Sequence, residues 1–368
     1  KSSKANSYLE SYNIQYNGNY LVYGQYAVDY QVQSSEYCLD SYDNGQYDLN
    51  LQCIGCTSWY PGSFLEIRGL YGNTVYKGYL HGTSWESIRI QIMYFVKRND
   101  YWMYHIGDAP SNWYDNMAPM QDWQYTNVGT PIPCGTGTQY FRKQLWGLAT
   151  SAIEFRLMYQ YGVVIYLNGV EIARDHMPDG PVTPTTPATG SYPSSGEHGF
   201  IRNAYDWGSV SNPAFCVEIH APQGVVMNTI DFDAWVAPLG QTVSSVQCHA
   251  ISTIPTITAT SGTNAQAVYD YNDNTYFTAE SNQNVTLTFS YSNLFAQVNG
   301  LEIYSGSYYT SSPTSFSLSG VRDGVSTTIL ERSGEQFNSY STYVTTAPFT
   351  LNHYNTFTFT MRASDATT

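Results

Sequence analysis

Oxygen donors crowd one short run of this sequence, Asp270-Tyr271-Asn272-Asp273-Asn274. Asp270, Asn272 and Asp273, with the carbonyls between them, suit Ca2+, which takes six to eight oxygens including backbone ones. The same residues also favour an Asx-turn without an ion, and both readings stay open. A cation there would brace the loop; no other cofactor is expected. Sulfur is the second reactive set. Cys38, Cys53, Cys56, Cys134, Cys216 and Cys248 make an even count, which predicts disulfides in an oxidising space. Cys53-Ile54-Gly55-Cys56 lacks the second Cys or His pair that zinc needs and the βαβ setting of a redox motif. Bridging from this pair to Cys38 or another cysteine is therefore expected.

Hydrolytic chemistry needs a constellation, and the chain has no GxSxG elbow, no HExxH and no phosphate loop, so no catalytic residue is assigned. Asp231, Asp233 and Glu197 are carboxylates that folding could gather into a glycosidase pair, although solvated loop groups are their default reading. His81, His105, His176, His198, His220, His249 and His353 show no ligand spacing and read as hydrogen-bonded groups. Tyr71, Tyr76, Trp85, Trp113, Trp123, Tyr308 and Tyr309 have the flat apolar faces on which sugars stack, while most aromatics of such a chain must fill cores and interfaces. Asn284-Val285-Thr286 is an N-glycosylation acceptor, and residues 182–195 are rich in Ser, Thr and Pro, as O-glycosylated stretches are.

The elements that must position these groups are strands. Tyr47, Leu49, Leu51 and Cys53 alternate with polar residues, as do Ile88, Ile90 and Ile92, then Ile153, Phe155 and Leu157, then Val285, Leu287, Phe289 and Tyr291. Period-2 runs place one face in a core and the other in water. No long window shows helical periodicity. Asn168-Gly169 between two apolar runs is the strongest hairpin signal, since both residues accept the positive φ of a type I′ turn. Asp43-Asn44-Gly45, Tyr71-Gly72-Asn73 and Asp323-Gly324 mark further turns.

Composition agrees. Charged residues are only 12% of the 368, while 35 Tyr raise the aromatic share to 16%, which excludes coiled coils and charged disordered tails. A net charge of -14 repels phosphate backbones and anionic lipids, so nucleic acid is not an expected partner. No apolar run is long enough to span a bilayer. With Lys1 first, the sequence reads as a processed or trimmed product whose targeting signal is not legible.

The expected fold is all-β, with three tandem antiparallel β-sandwich domains over residues 1–98, 99–240 and 241–368. If all six cysteines pair within the chain, at least one bridge crosses a boundary, and Cys248 joined to the first block would pin the units together. Gly162 to Gly180, reading Gly-Val-Val-Ile-Tyr-Leu-Asn-Gly-Val-Glu-Ile-Ala-Arg-Asp-His-Met-Pro-Asp-Gly, resembles the YLNGxExxRxxMPxG hairpin of galactose-binding-like modules found in secreted and cell-surface proteins. That resemblance extends over Tyr140-Phe141-Arg142 and Phe215–His220, but Gln160-Tyr161 stands where relatives often carry an acidic pair. Ala267–Phe277 resembles the AxDgdxxTyW loop of discoidin or coagulation-factor C-type modules, with Phe277 in place of Trp. Cys38–Gly45 and Ser63–Gly69 resemble surface-protein repeats. These resemblances imply a non-enzymatic extracellular or cell-surface structural or adhesive protein, such as a filament or matrix subunit, that associates with itself or with other surface proteins. The alternative is a carbohydrate-binding ancillary region of a secreted glycan-processing enzyme, with glycans as its partners.

Overall fold

The computed structural model describes residues 7–25, 32–39, 45–59, 63–80, 82–134, 137–146, 152–203, 212–242, 249–250, 255–269, 276–279, 284–296, 298, 300–304, 313–322, 324–335, 342–346 and 353–362. Among them the chain is all-β, broken only by short 3-10 turns at Ser7–Leu9 and Ala265–Tyr269. No helix of the described residues is long and apolar enough to cross a membrane.

The strands form layered antiparallel sheets. The first four-stranded sheet runs Asn19–Gln25, Glu10–Tyr16, Gln46–Cys53, Trp85–Gln91, and its inner residues Leu49 and Leu51 pack with Val75 and Tyr76 of a facing sheet. At the centre, a six-stranded sheet (Val170–Asp175, Gly162–Leu167, Ala214–His220, Gln139–Gln144, Tyr101–Ile106, Gln124–Asn127) faces a four-stranded one (Asp233–Pro238, Ala152–Tyr159, Gly196–Asn203, Leu294–Ala296). Phe141, Val163, Phe215 and Val217 from one layer meet Phe155, Leu157 and Phe200 from the other in a shared core. A five-stranded sheet (Thr256–Ala259, Asn284–Ser290, Thr356–Arg362, Ser315–Arg322, Val325–Ser333) carries the last core, with the Gly300–Tyr304 and Thr342–Thr346 pair beside it.

Two strand pairings among the described residues are parallel, and both join stretches far apart in sequence. Gln241 and Thr242 pair with Tyr76 and Lys77, so the chain leaving the central sandwich adds a strand to the first unit. Leu294–Ala296 pairs with Gly199–Ile201, so the last unit extends the central sheet. Hairpins join sequence neighbours antiparallel; a parallel neighbour requires a long crossover, and the intervening strands supply it.

The Asn168-Gly169 turn forms as its sequence predicts, with φ of 51° and 82°. A Cβ on Gly169 would lie 2.7 Å from Asp115 Oδ1, in addition to straining the positive φ. Gly169→Ala is therefore expected to lower stability by roughly 1–3 kcal/mol, read as a lower urea midpoint at unchanged m-value.

One strand departs from simple alternation. Ile153, Phe155 and Leu157 face the core as expected, but Glu154, read from sequence as water-facing, is only 1% exposed. Its face of the sheet is covered by the segment leading out of the first unit. Arg156 pairs with Glu154 at 3.1 Å and lies 5.9 Å over the Trp235 ring, while Tyr71 and Tyr94 pack on the same indole. Arg98 sits 5.3 Å over Tyr71 and ion-pairs with Glu197. Burial pushes the Tyr94 phenol up to about 12, so it stays a hydrogen-bond donor, to Asn73 Oδ1.

Candidate functional site

The expected disulfide pattern needs correction. Cys53 is bonded to Cys56, and Cys38, Cys134 and Cys216 are free. The Ile54-Gly55 turn, with Gly55 at φ 75°, brings the two Cα atoms to 5.4 Å, which local geometry then favours over any distant partner. Cys134 packs against the inner core and Cys216 against an aromatic cluster on the outer face of the six-stranded sheet, so the sheet itself separates them. Burial pushes the Cys216 thiol up to about 12. Cys248 and the Asp270–Asn274 loop, including Asp270, Asn272 and Asp273, lie outside the described residues, as do Tyr308 and Tyr309. Asn284 is exposed at the start of its strand, with its backbone paired to Arg362.

The other sequence candidates separate clearly. Tyr76 is fully buried. Trp113 and Trp123 stack at 5.8 Å inside the outer-face cluster with Tyr140, under the loop that precedes Gln124–Asn127. Arg142 holds that loop: its guanidinium donates to the carbonyls of Trp113 (2.7 Å), Asp115 (2.6 Å) and Asn116 (2.8 Å) while only 5% of the residue is exposed. Asp233 accepts the amides of Asn99 and Ala234, and burial raises its carboxyl. Glu197 is engaged by Arg98 and, at 3.8 Å, by Arg156. Both acids are thus engaged by other groups of the chain.

Asp231 is the exception. The strand Ala152–Tyr159 ends at one rim of the central sandwich, and Gln160-Tyr161 carries the chain across to Gly162–Leu167 in the opposite layer. Residues 229–231 approach from the facing connection. Between them lies a cavity of about 120 Å³ lined by Tyr159, Gln160, Tyr161, Ser195, Thr229 and Asp231. Ser195 Oγ donates to the Asp231 carbonyl at 3.1 Å. Gln160 Nε2 donates to the Tyr192 carbonyl at 3.3 Å, and the Tyr192 amide returns a bond to Gln160 O at 2.8 Å. The cavity is therefore lined by one acidic residue, a glutamine, hydroxyl-bearing and aromatic residues and the apolar Pro131, Ile219 and Ile230.

A buried network sets this rim. Tyr159 and Tyr192 both donate to Asp175 Oδ2 at 2.8 Å, and the His176 amide donates to Oδ1 at 3.0 Å. Burial and the neighbouring Asp175 charge hold the Tyr159 phenol well above its ordinary value, so it remains a donor. His198 lies between the two rings, stacked on Tyr192 at 3.9 Å and tilted against Tyr159 at 4.7 Å. It is 4% exposed, and neither ring nitrogen has a hydrogen-bond partner among the described residues. Burial lowers it to about 4, against a smaller opposing pull from Asp175. Sequence reasoning missed this network. Its one legible trace is the two-residue link Gln160-Tyr161 between apolar runs, too short to do more than cross between layers.

No protein-family model matches the chain, and no curated protein matches it. Among solved structures it is similar to a calcium-binding mutant of Bacteroides uniformis beta-glucuronidase 2, at 14% identity and a TM-score of 0.31, over 70% of this chain and 27% of that one. It is also similar to a beta-glycosidase from Bacteroides vulgatus, at 10% identity and a TM-score of 0.29, over 72% of this chain and 28% of that one. A third is an uncultured Clostridium sp. beta-glucuronidase, at 10% identity and a TM-score of 0.28, over 73% and 44%. The chain thus spans under half the length of each.

Proposed function

We propose that this chain is a non-enzymatic β-sandwich region that binds carbohydrate outside the cell, as an ancillary part of a larger glycan-processing protein. The observation that carries the reading is the rim cavity with Asp231 at its mouth. Its volume of about 120 Å³ admits an edge or substituent of a sugar and not a whole ring. A carboxylate accepts two vicinal hydroxyls, Gln160 and Ser195 supply further polar contacts, and Tyr161 offers a ring face; this is the usual mix of apolar walls and few polar groups in a small-molecule site. The Cys53–Cys56 bond supports an oxidising setting. The galactose-binding-like reading of the central unit, the discoidin-like reading of the last one, and the division into three domains belong to the same proposal. Glu197 and Asp233 are held by other partners, and this supports the non-catalytic part of it.

Binding of the intact chain to an array of neutral and acidic glycans tests the reading. Wild type is expected to bind at least one class without cleaving it, and Asp231→Asn to weaken that binding roughly tenfold, the loss of one charge-assisted hydrogen-bond set. Absence of binding across the array, or release of reducing ends from any bound glycan, defeats the proposal. Self-association instead, seen by sedimentation and abolished by changing the exposed Tyr20 and Tyr23 of the edge strand Asn19–Gln25, would favour the structural, adhesive reading.

A further inference from the structure

The first unit carries a feature that the rim cavity does not explain. Five of the described tryptophans, Trp59, Trp102, Trp113, Trp123 and Trp235, are no more than 9% exposed, whereas Trp85 is 56% and Trp146 69% exposed; of these two, Trp85 lines a groove. Its indole stands in an open groove of about 540 Å³, whose walls are Gln52, Ile54, Thr57, Ser84 and the Cys53–Cys56 disulfide. The groove is built on fixed backbone. Gln52 lies directly opposite Trp85 in the strand register, which puts both side chains on the same face of the sheet. The Cys53 amide donates to Ser84 O at 2.9 Å and the Ile54 amide to Leu9 O at 2.9 Å. Beneath them, buried Trp59 donates its indole N–H to Gln52 O at 2.9 Å, and the Gly82 amide donates to Ser58 Oγ at 2.8 Å.

The lining has a chemical signature. None of these wall residues is charged, so a phosphate, a carboxylate or an amine would find no countercharge there. An indole face beside a primary amide and two hydroxyls matches a neutral pyranose, whose axial C–H face is apolar and whose edge is ringed by hydroxyls. At about 540 Å³ and open to solvent, the groove has room for more than one sugar, in contrast to the small rim cavity. We infer that the Trp85 groove is a second carbohydrate site, specific for neutral oligosaccharides and shaped by the Cys53–Cys56 bond. It shares the carbohydrate reading above but uses different residues, on a different sheet.

Isothermal titration of the intact chain with cellohexaose, maltohexaose, mannohexaose and tetragalacturonic acid tests this. Wild type is expected to bind at least one neutral hexasaccharide and not the acidic probe. Trp85→Ala, at an exposed position, should weaken that binding at least tenfold, while Tyr125→Ala, another exposed aromatic but on the six-stranded sheet, leaves it within twofold. The paired change Cys53→Ser with Cys56→Ser should weaken it severalfold, with the far-UV circular dichroism spectrum retained. No neutral hexasaccharide binding by wild type, or binding that survives Trp85→Ala, overturns the groove as a site. Binding that falls with Asp231→Asn but not with Trp85→Ala overturns it while leaving the rim cavity's role intact. Preference for tetragalacturonic acid overturns the neutral specificity, and unchanged affinity in the paired serine variant overturns the part given to the disulfide.

Discussion

Lowering the pH from 7 to 4 is expected to remove about 3 kcal/mol of stability through His198 alone. The folded protein holds this imidazole near 4, below its ordinary 6.5, because burial between Tyr159 and Tyr192 leaves an imidazolium without water. Between those two values the unfolded chain binds the proton and the folded one does not. Stability therefore rises with pH through that window and levels off above about 6.5. Other acids titrate in the same range, so the measurement is a difference. Urea unfolding of wild type and His198→Phe, a variant that keeps the stacked ring and loses the titration, should diverge as the pH falls, with the variant more stable at pH 4 by about that amount. Parallel curves from pH 7 to pH 4 would show that His198 finds a partner for its proton in the fold.

The other large effect lies on the opposite side of the central sandwich. Replacing Arg142 with Ala is expected to reduce stability by roughly 3–5 kcal/mol, since three loop carbonyls lose a buried, charged donor and a cavity opens beneath Trp113. The free Cys216 thiol reports the same event by a separate route. It is buried against this loop and pushed up to about 12, so alkylation is slow in the intact protein. In Arg142→Ala its labelling, followed by peptide mass spectrometry, should accelerate at least tenfold, while exposed Cys38 labels at an unchanged rate. An unaltered Cys216 rate would mean that the aromatic cluster holds the loop without its guanidinium clamp.

Much of the fold was legible because strand alternation is a local property. The runs at Tyr47–Cys53 and Val285–Phe289 turn their apolar residues inward, and Asn168-Gly169 takes the turn its residue types require. What escaped is long-range. Glu154 and Arg156 look solvated in their own strand, and only the arrival of Tyr71, Tyr94 and Trp235 makes theirs an interior face. Cysteine parity predicts pairs, whereas the partition of Cys134 and Cys216 to opposite faces of a sheet depends on tertiary placement. The Asp175, Tyr192 and His198 network requires a Pro- and Thr-rich segment to fold back on its own hairpin, and no short spacing encodes that. Of the candidate site residues, Asp231 and Trp85 were named from sequence, but nothing in the sequence separated them from the aromatics and acids that turned out to be engaged elsewhere.

The two parallel pairings have a mechanical meaning. Beads joined by loose string yield to traction one at a time, each swivelling before it gives way. Here Gln241-Thr242 is laced to Tyr76-Lys77 and Leu294–Ala296 to Gly199–Ile201, so tension along the chain passes through backbone rungs as well as through the connecting segments. On the carbohydrate reading proposed above, such lacing would set the span between Trp85 and Asp231, and a long ligand reaching both would have to match that gauge.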